Sequence, residues 1–177
     1  MKVKIILSII GIIIIAGITG WPYAYKYFDE QYQKAQDPIR IKHINEIANI
    51  AFAYDEKVGY PPLRDLVKQQ KKPFMVLIGR SNEAEDAFAK IKALSKNALF
   101  INSREFERIL SNGLKEKIVL PRDPQKVSTF APNVYLYYIN EEQLCVAAHL
   151  YYESEISKPY VWSGGTFNSH AQCYSKK

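Results

Sequence analysis

Histidine, cysteine and glycine are scarce in this sequence, and each shortage closes off a class of chemistry. Three histidines and two cysteines leave little from which to build a metal centre. No His-Glu-x-x-His, no Gly-x-Ser-x-Gly nucleophile elbow and no glycine-rich phosphate loop occurs. Ser163-Gly164-Gly165 reads as a turn, and His43, beside Ile44 on a helical pattern, reads as solvent-facing. No residue stands out for catalysis, and no cofactor or metal is expected. Clustered basic charge is missing too. The net charge is +6, but Lys2 and Lys4 precede an apolar run, and the rest is a mild excess spread over a whole domain. Its densest stretch, KQQKK at 68–72, reads as a solvated loop. A nucleic-acid footprint would be concentrated on one face, so a nucleic-acid partner is left open without positive support.

What is present is ordinary for a folded chain. With 177 residues, 47% hydrophobic and 24% charged, one domain is the natural reading and wholesale disorder is disfavoured. The N-terminus departs from that average. Residues 5–21, IILSIIGIIIIAGITGW, carry no charge, and no acidic residue precedes Asp29. Seventeen helical residues would measure about 25 Å, at the short end of what a bilayer core demands. Trp21, Tyr23, Tyr25, Tyr27 and Phe28 follow at the position of a headgroup-level aromatic flank. Lys2 and Lys4 before the run place the N-terminus in the cytoplasm and the rest of the chain in the periplasm or outside the cell. A cleaved secretory signal is the rival. It needs small residues at −1 and −3, whereas cuts after Ala16, Gly20 or Ala24 put Ile14, Ile18 or Pro22 at −3. The reading is an uncleaved anchor over 1–28 and one extracytoplasmic domain over 29–177, in contact with the lipid bilayer.

Beyond the anchor, Asp37-Pro38 predicts a helix start or a kink, since proline fits the first helical turn but not the interior. An amphipathic helix is expected over 38–56. Ile44, Ile47, Ala48, Ala51 and Tyr54 fall on one stripe at spacings of three and four. Gly59 can take the left-handed conformation that closes a helix, and Pro61-Pro62 forbids its resumption. A variable region over 63–130 follows. Within it FMVLIG at 74–79 reads as a buried strand and residues 81–97 as a helix. SREFERILSNG reads as a second helix, capped by Ser103, facing in through Phe106 and Leu110, and stopped by Gly113. A sheet is expected over 134–163. NVYLYYI and LCVAAHLYY are joined by the hairpin-sized NEEQ, and YVW at 160–162 adds a third strand. In the second run Leu144, Val146, Ala148, Leu150 and Tyr152 share one face, and Cys145, Ala147, His149 and Tyr151 share the other. Residues 164–177 remain as a tail.

An even cysteine count in an exported domain suggests that Cys145 and Cys173 pair. Such a bond would close about 29 residues, worth on the order of 3.6 kcal/mol in chain entropy, and would pin the tail to the sheet. Free thiols are the alternative. A zinc site of Cys145, His149, His170 and Cys173 has suitable ligand types. Residues four apart on a strand, however, lie about 13 Å apart, too far for one ion.

The order of these features carries a resemblance. An apolar N-terminal segment (IIGIIIIAG) leads to an amphipathic helix ending in Gly59-Tyr60-Pro61. LPRDP follows at 120–124, then YLYYINEEQLCVAAHLYYES. Together these cover about half the chain, and the order resembles the type IV pilin and type II secretion pseudopilin family. The family's prepilin processing site is absent. The resemblance implies an α+β fold: a long N-terminal helix, transmembrane then amphipathic, packed on a C-terminal antiparallel β-sheet, with a helical or irregular insertion between. It implies a noncatalytic subunit of a type IV pilus or type II secretion apparatus, acting through contacts with other pilin-like subunits or secretion-apparatus proteins. A membrane-anchored binding domain, an adhesin or DNA-uptake minor pilin, is the alternative.

Overall fold

The computed structural model describes residues 20, 23–29, 31–79, 98–124, 134–150, 158–162 and 165–175. The chain forms two compact units, Met1–Ala35 and Gln36–Lys177. In the first, residues 23–29 and 31–35 are helical.

The second unit is built around helix α1, Asp37–Val58. Gln36 occupies the N-cap position and proline lies in the first turn, where its missing N–H costs nothing. Ile44, Ile47, Ala48, Ala51 and Tyr54 are the apolar residues that α1 buries, and they lie on one stripe. Its other side carries Lys42, Asn45, Glu46, Asn49 and Glu56 to solvent. Gly59, at φ 90°, closes the helix by donating its N–H to the Asp55 carbonyl over 2.7 Å. That left-handed backbone is open to glycine at little cost. After Pro61-Pro62 the chain makes a short helix α2, Arg64–Gln70.

The sheet corrects the expected fold. Its six strands are β1 (Phe74–Ile78), β2 (Leu99–Asn102), β3 (Tyr135–Ile139), β4 (Gln143–Leu150), β5 (Lys158–Trp162) and β6 (Gly165–Ser175). They lie in the order β2-β1-β3-β4-β6-β5. The sheet is mixed, because β1 and β2 run parallel while the other neighbours are antiparallel. It is therefore not a C-terminal antiparallel sheet with an insertion beside it. The region 63–130 supplies two of its strands, and a parallel pair needs a crossover of a dozen residues or more. The span between Ile78 and Leu99 provides that length. The expected transmembrane helix is corrected as well. Among the described residues no helix is long and apolar enough to cross a membrane. Apart from Gly20, the uncharged run 5–21, on which that expectation rested, lies outside them, as does the helix expected over 81–97.

The last residues are not a tail. β6 is the longest strand and lies between β4 and β5. Gln143 through Leu150 pair with Ser175 back to Asn168. The strand expected at 160–162 is β5, one place further out on the edge. Its Pro159 suits an edge, where one side of the backbone needs no donor.

β1 is buried at every position, in keeping with its unbroken apolar sequence and its place inside the sheet. β3 alternates, burying Tyr135, Tyr137 and Ile139. With Leu144, Val146 and Ala148 of β4, they meet the α1 stripe and helix α3, Ser103–Leu114. Met75, Leu77 and Val134, with Phe100, Leu136 and Tyr138, form a smaller cluster; strand alternation puts it on the opposite face of the sheet.

Two details of α3 differ from expectation. Asn102, not Ser103, caps it, its Oδ1 accepting the Glu105 N–H at 2.8 Å. Gly113 does not stop it but lies inside its last turn. A Cβ there would lie 2.1 Å from the Tyr54 ring. Glycine is needed because α1 and α3 approach closely at that point.

Candidate functional site

Two short motifs, LPRDP and the Gly-Tyr-Pro-Pro turn, meet α1 near its two ends. At its start α1 buries Arg40, 1% exposed, between two carboxylates. Nε donates to Asp123 Oδ2 at 2.7 Å and Nη2 to Asp123 Oδ1 at 3.1 Å, a bidentate fork. Nη1 donates to Asp37 Oδ1 at 2.9 Å. Asp37 lies in the first turn of α1, where the helix dipole favours an anion. Asp123 is the acidic residue of the LPRDP element. Burial by itself disfavours the Arg40 cation. The hydrogen bonds and charge of Asp123, then those of Asp37, more than offset that, and the guanidinium is held above its ordinary range.

The rest of LPRDP grips α3. Leu120 is buried in the main core. Its N–H donates to Glu107 Oε1 at 2.9 Å, and Arg122 Nη2 reaches the same oxygen at 2.7 Å. Ser111 Oγ donates to the Glu107 carbonyl and accepts the Ile118 N–H, binding the approach to the element onto the same helix. Pro121 and Pro124 lack N–H groups, so this stretch cannot extend the sheet ladder. LPRDP is thus a buckle: Asp123 hooks α1, Leu120 fills the core and Arg122 hooks α3.

One turn beyond Arg40, His43 meets the sheet. Its Nδ1 lies 2.8 Å from the Tyr135 hydroxyl and the rings cross edge-on at 5.6 Å. The solvent-facing position expected for His43 is therefore corrected: the ring is half-buried. Burial lowers its pKa, Lys42 acts in the same direction, and Glu46 and Asp123 oppose them. Burial likewise pushes the Tyr135 phenol up, with Asp123 adding to the shift and Arg40 opposing it. The hydroxyl stays protonated and can donate to a neutral imidazole.

The far end of α1 is held by the second motif. Tyr137, fully buried and with its phenol pushed well up chiefly by burial, donates to the Pro62 carbonyl at 2.9 Å. Arg64, just beyond the prolines, donates to the Glu141 carbonyl in the β3–β4 connection. Gly59 and Pro61 therefore sit in a turn tied to the sheet, not in a free linker.

Cys145 and Cys173 are directly opposed on β4 and β6. Their Cα atoms are 4.1 Å apart, near the spacing of a non-hydrogen-bonded antiparallel pair, and their sulfurs are bonded at 2.10 Å. The bond joins two adjacent strands. It also uses up both thiolates that a zinc site would need. His149 and His170 are placed opposite Ser169 and Ala148 in the same ladder. Among the described residues no group of three or more His, Cys, Asp or Glu is arranged to hold a metal ion.

Periodicity pointed to Ile44, Ile47, Ala48, Ala51 and Tyr54 as the packing stripe, and these are the residues set against the sheet. Sequence reasoning missed the Arg40–Asp123 pair. The one available signal was an arginine on the apolar side of an amphipathic helix, in a chain with one Asp-Pro at the helix start and another in LPRDP. In comparisons with known proteins, the chain matches no protein-family model, no curated protein and no solved structure.

Proposed function

We propose that this chain is a noncatalytic subunit that works through protein–protein contacts in an envelope filament or secretion apparatus, as its resemblance to type IV pilins and pseudopilins implies. In this reading the uncharged run 5–21 tethers it to a membrane, with the N-terminus in the cytoplasm and the head in the periplasm or outside the cell. The observation that carries the proposal is the treatment of α1. Two of the motifs that prompted the resemblance each fasten one end of that helix to the head. LPRDP does so through Asp123 and Arg40, and the Gly-Tyr-Pro-Pro turn through Tyr137 and Pro62. A helix fixed at both ends is a rigid part of the head, which suits a subunit that binds its neighbours in an assembly. The Cys145–Cys173 bond suits an oxidising, extracytoplasmic location.

The test is photo-crosslinking in the producing cell, with a crosslinking amino acid placed at Glu46, Asn49 or Val119, all solvent-exposed. The expected result is a ladder of adducts to further copies or to other tethered subunits in the membrane fraction, concentrated at some of these positions. A chain that yields no adduct from any of them, and elutes as a monomer after mild solubilisation, would overturn the proposal.

A further inference from the structure

Five large aromatic side chains of the first unit stand in solvent on helical backbone. Tyr23, Tyr25, Tyr27, Phe28 and Tyr32 are between 59% and 79% exposed. Together with Ala24 and Lys26 they make every residue from 23 to 28 exposed. On a wheel of about 100° per residue, with Tyr23 at zero, Tyr27, Phe28, Tyr32 and Tyr25 fall at about 40°, 140°, 180° and 200°. Ala24 and Gln31 share that arc. Lys26, Asp29 and Gln33 occupy the remaining side, and Gln33 is buried. The aromatics are therefore confined to a little more than half the circumference, opposite a charged and polar side.

We infer that residues 23–29 and 31–32 lie along a lipid surface, with the aromatic arc seated in the headgroup layer. The inference rests on the membrane tether proposed above and adds an orientation to it. Three observations favour lipid over a protein groove. The uncharged run 5–21 ends two residues before Tyr23, so chain continuity brings this segment to the place where that run leaves the membrane. Four of the five rings are tyrosines, whose apolar bodies and polar tips suit a layer that is greasy below and wet above. A helix seated in a groove shows a narrow line of anchors at i, i+3, i+4 and i+7, whereas this arc is about 200° wide on the same wheel. Lys34, which falls beside Tyr27 on the wheel, has a stem long enough to lift its ammonium to the headgroups.

Orientation separates this seat from an upright aromatic collar. Tyr23 and Tyr32 are about 14 Å apart along a helix axis, whereas the headgroup layer of one leaflet is only about 5–8 Å thick. An upright helix would keep Tyr23 in the layer and lift Tyr32 out of it. A helix lying flat keeps both inside.

The experiment is hydroxyl-radical footprinting of the full chain reconstituted in phosphatidylcholine vesicles, with each ring's oxidation normalised to the chain unfolded in urea. All five rings should be protected several-fold and to similar extents, while Val119 of the head stays reactive. Protection that falls steadily from Tyr23 to Tyr32 would overturn the flat seat in favour of an upright collar. Rings that stay reactive in a chain resisting alkaline extraction would overturn this inference and leave the tether standing. A chain that washes off the vesicles removes both. Protection without vesicles that disappears on dilution would overturn it too, by assigning the arc to a second copy. The triple variant Tyr25→Ser/Phe28→Ser/Tyr32→Ser should remain in the vesicles yet expose Tyr23 and Tyr27 to several-fold more oxidation; unchanged protection of those two rings would count against a shared seat.

Discussion

The two halves of α1 are held by opposite kinds of physics. From Ile44 to Tyr54 the helix is held by apolar burial against β1, β3, β4 and α3. From Asp37 to His43 it is held by a buried cation between two carboxylates and by an imidazole against a phenol. Burial of the stripe is non-directional, and its strength scales with area. The ionic end is directional. It recovers the cost of desolvating three charged groups only while all three are in register. The stripe can therefore tolerate a slightly shifted helix, whereas the buckle sets where along the sheet the helix must sit. We regard registry as the reason a head that already has an adequate apolar interface also buries Arg40.

This contrast can be broken from either side, and the two halves should fail differently. Arg40→Ala should have the largest effect, about 4 kcal/mol in urea unfolding of the full chain, because it leaves Asp37 and Asp123 buried without their cation. The double variant Arg40→Met/Asp123→Leu should be far milder than Arg40→Ala, since replacing an ion pair by packed apolar groups is often close to neutral. A double variant as damaged as the single one would refute the charge argument. Ile47→Ala should cost about 3 kcal/mol, the usual result of emptying a fully buried site, with no dependence on pH.

A smaller effect is expected where α1 and α3 touch. Gly113→Ala forces a methyl group into the Tyr54 ring and should cost about 2 kcal/mol. Adding Tyr54→Leu should recover part of that loss, and an exactly additive pair of losses would mean that the two residues do not share the space. The smallest effect concerns His43. Its pKa is lowered in the folded chain, so the unfolded chain binds the proton more readily. Stability should be complete above the ordinary histidine pKa of about 6.5 and decline as pH falls from there toward the lower folded value. Protonation turns the Nδ1 acceptor into a donor that faces the Tyr135 hydroxyl, with Lys42, Glu46 and Asp123 as the charged neighbours. His43→Gln should flatten that part of the stability profile measured by urea titration at stepped pH.

Local patterns were legible where the physics is local. The spacing of Ile44, Ile47, Ala48, Ala51 and Tyr54 follows from 3.6 residues per turn, and the closing of α1 at Gly59 follows from glycine's access to left-handed backbone. The alternation of Leu144, Val146 and Ala148 follows from the pleat. The two remaining members of the face expected there divide: Leu150 is buried, and Tyr152 lies outside the described residues. Strand partnership was not legible. HAQCYS contains little that reads as a strand, yet it forms part of β6 because β4 offers an unpaired edge and Cys173 falls opposite Cys145. Likewise, LFIN at 99–102 is too short to announce itself and becomes β2 only because β1 lies alongside.

The sequence by itself therefore determined which residues of α1 turn inward and where that helix ends. Those properties depend on neighbours within one or two turns. Only the tertiary structure decided that the sheet is mixed, that β6 lies inside it, and that Arg40 closes on Asp123 across 83 positions of chain. Pairings of that kind are selected by which edges and charges remain unsatisfied once the whole chain has collapsed, and no short window of sequence contains both partners.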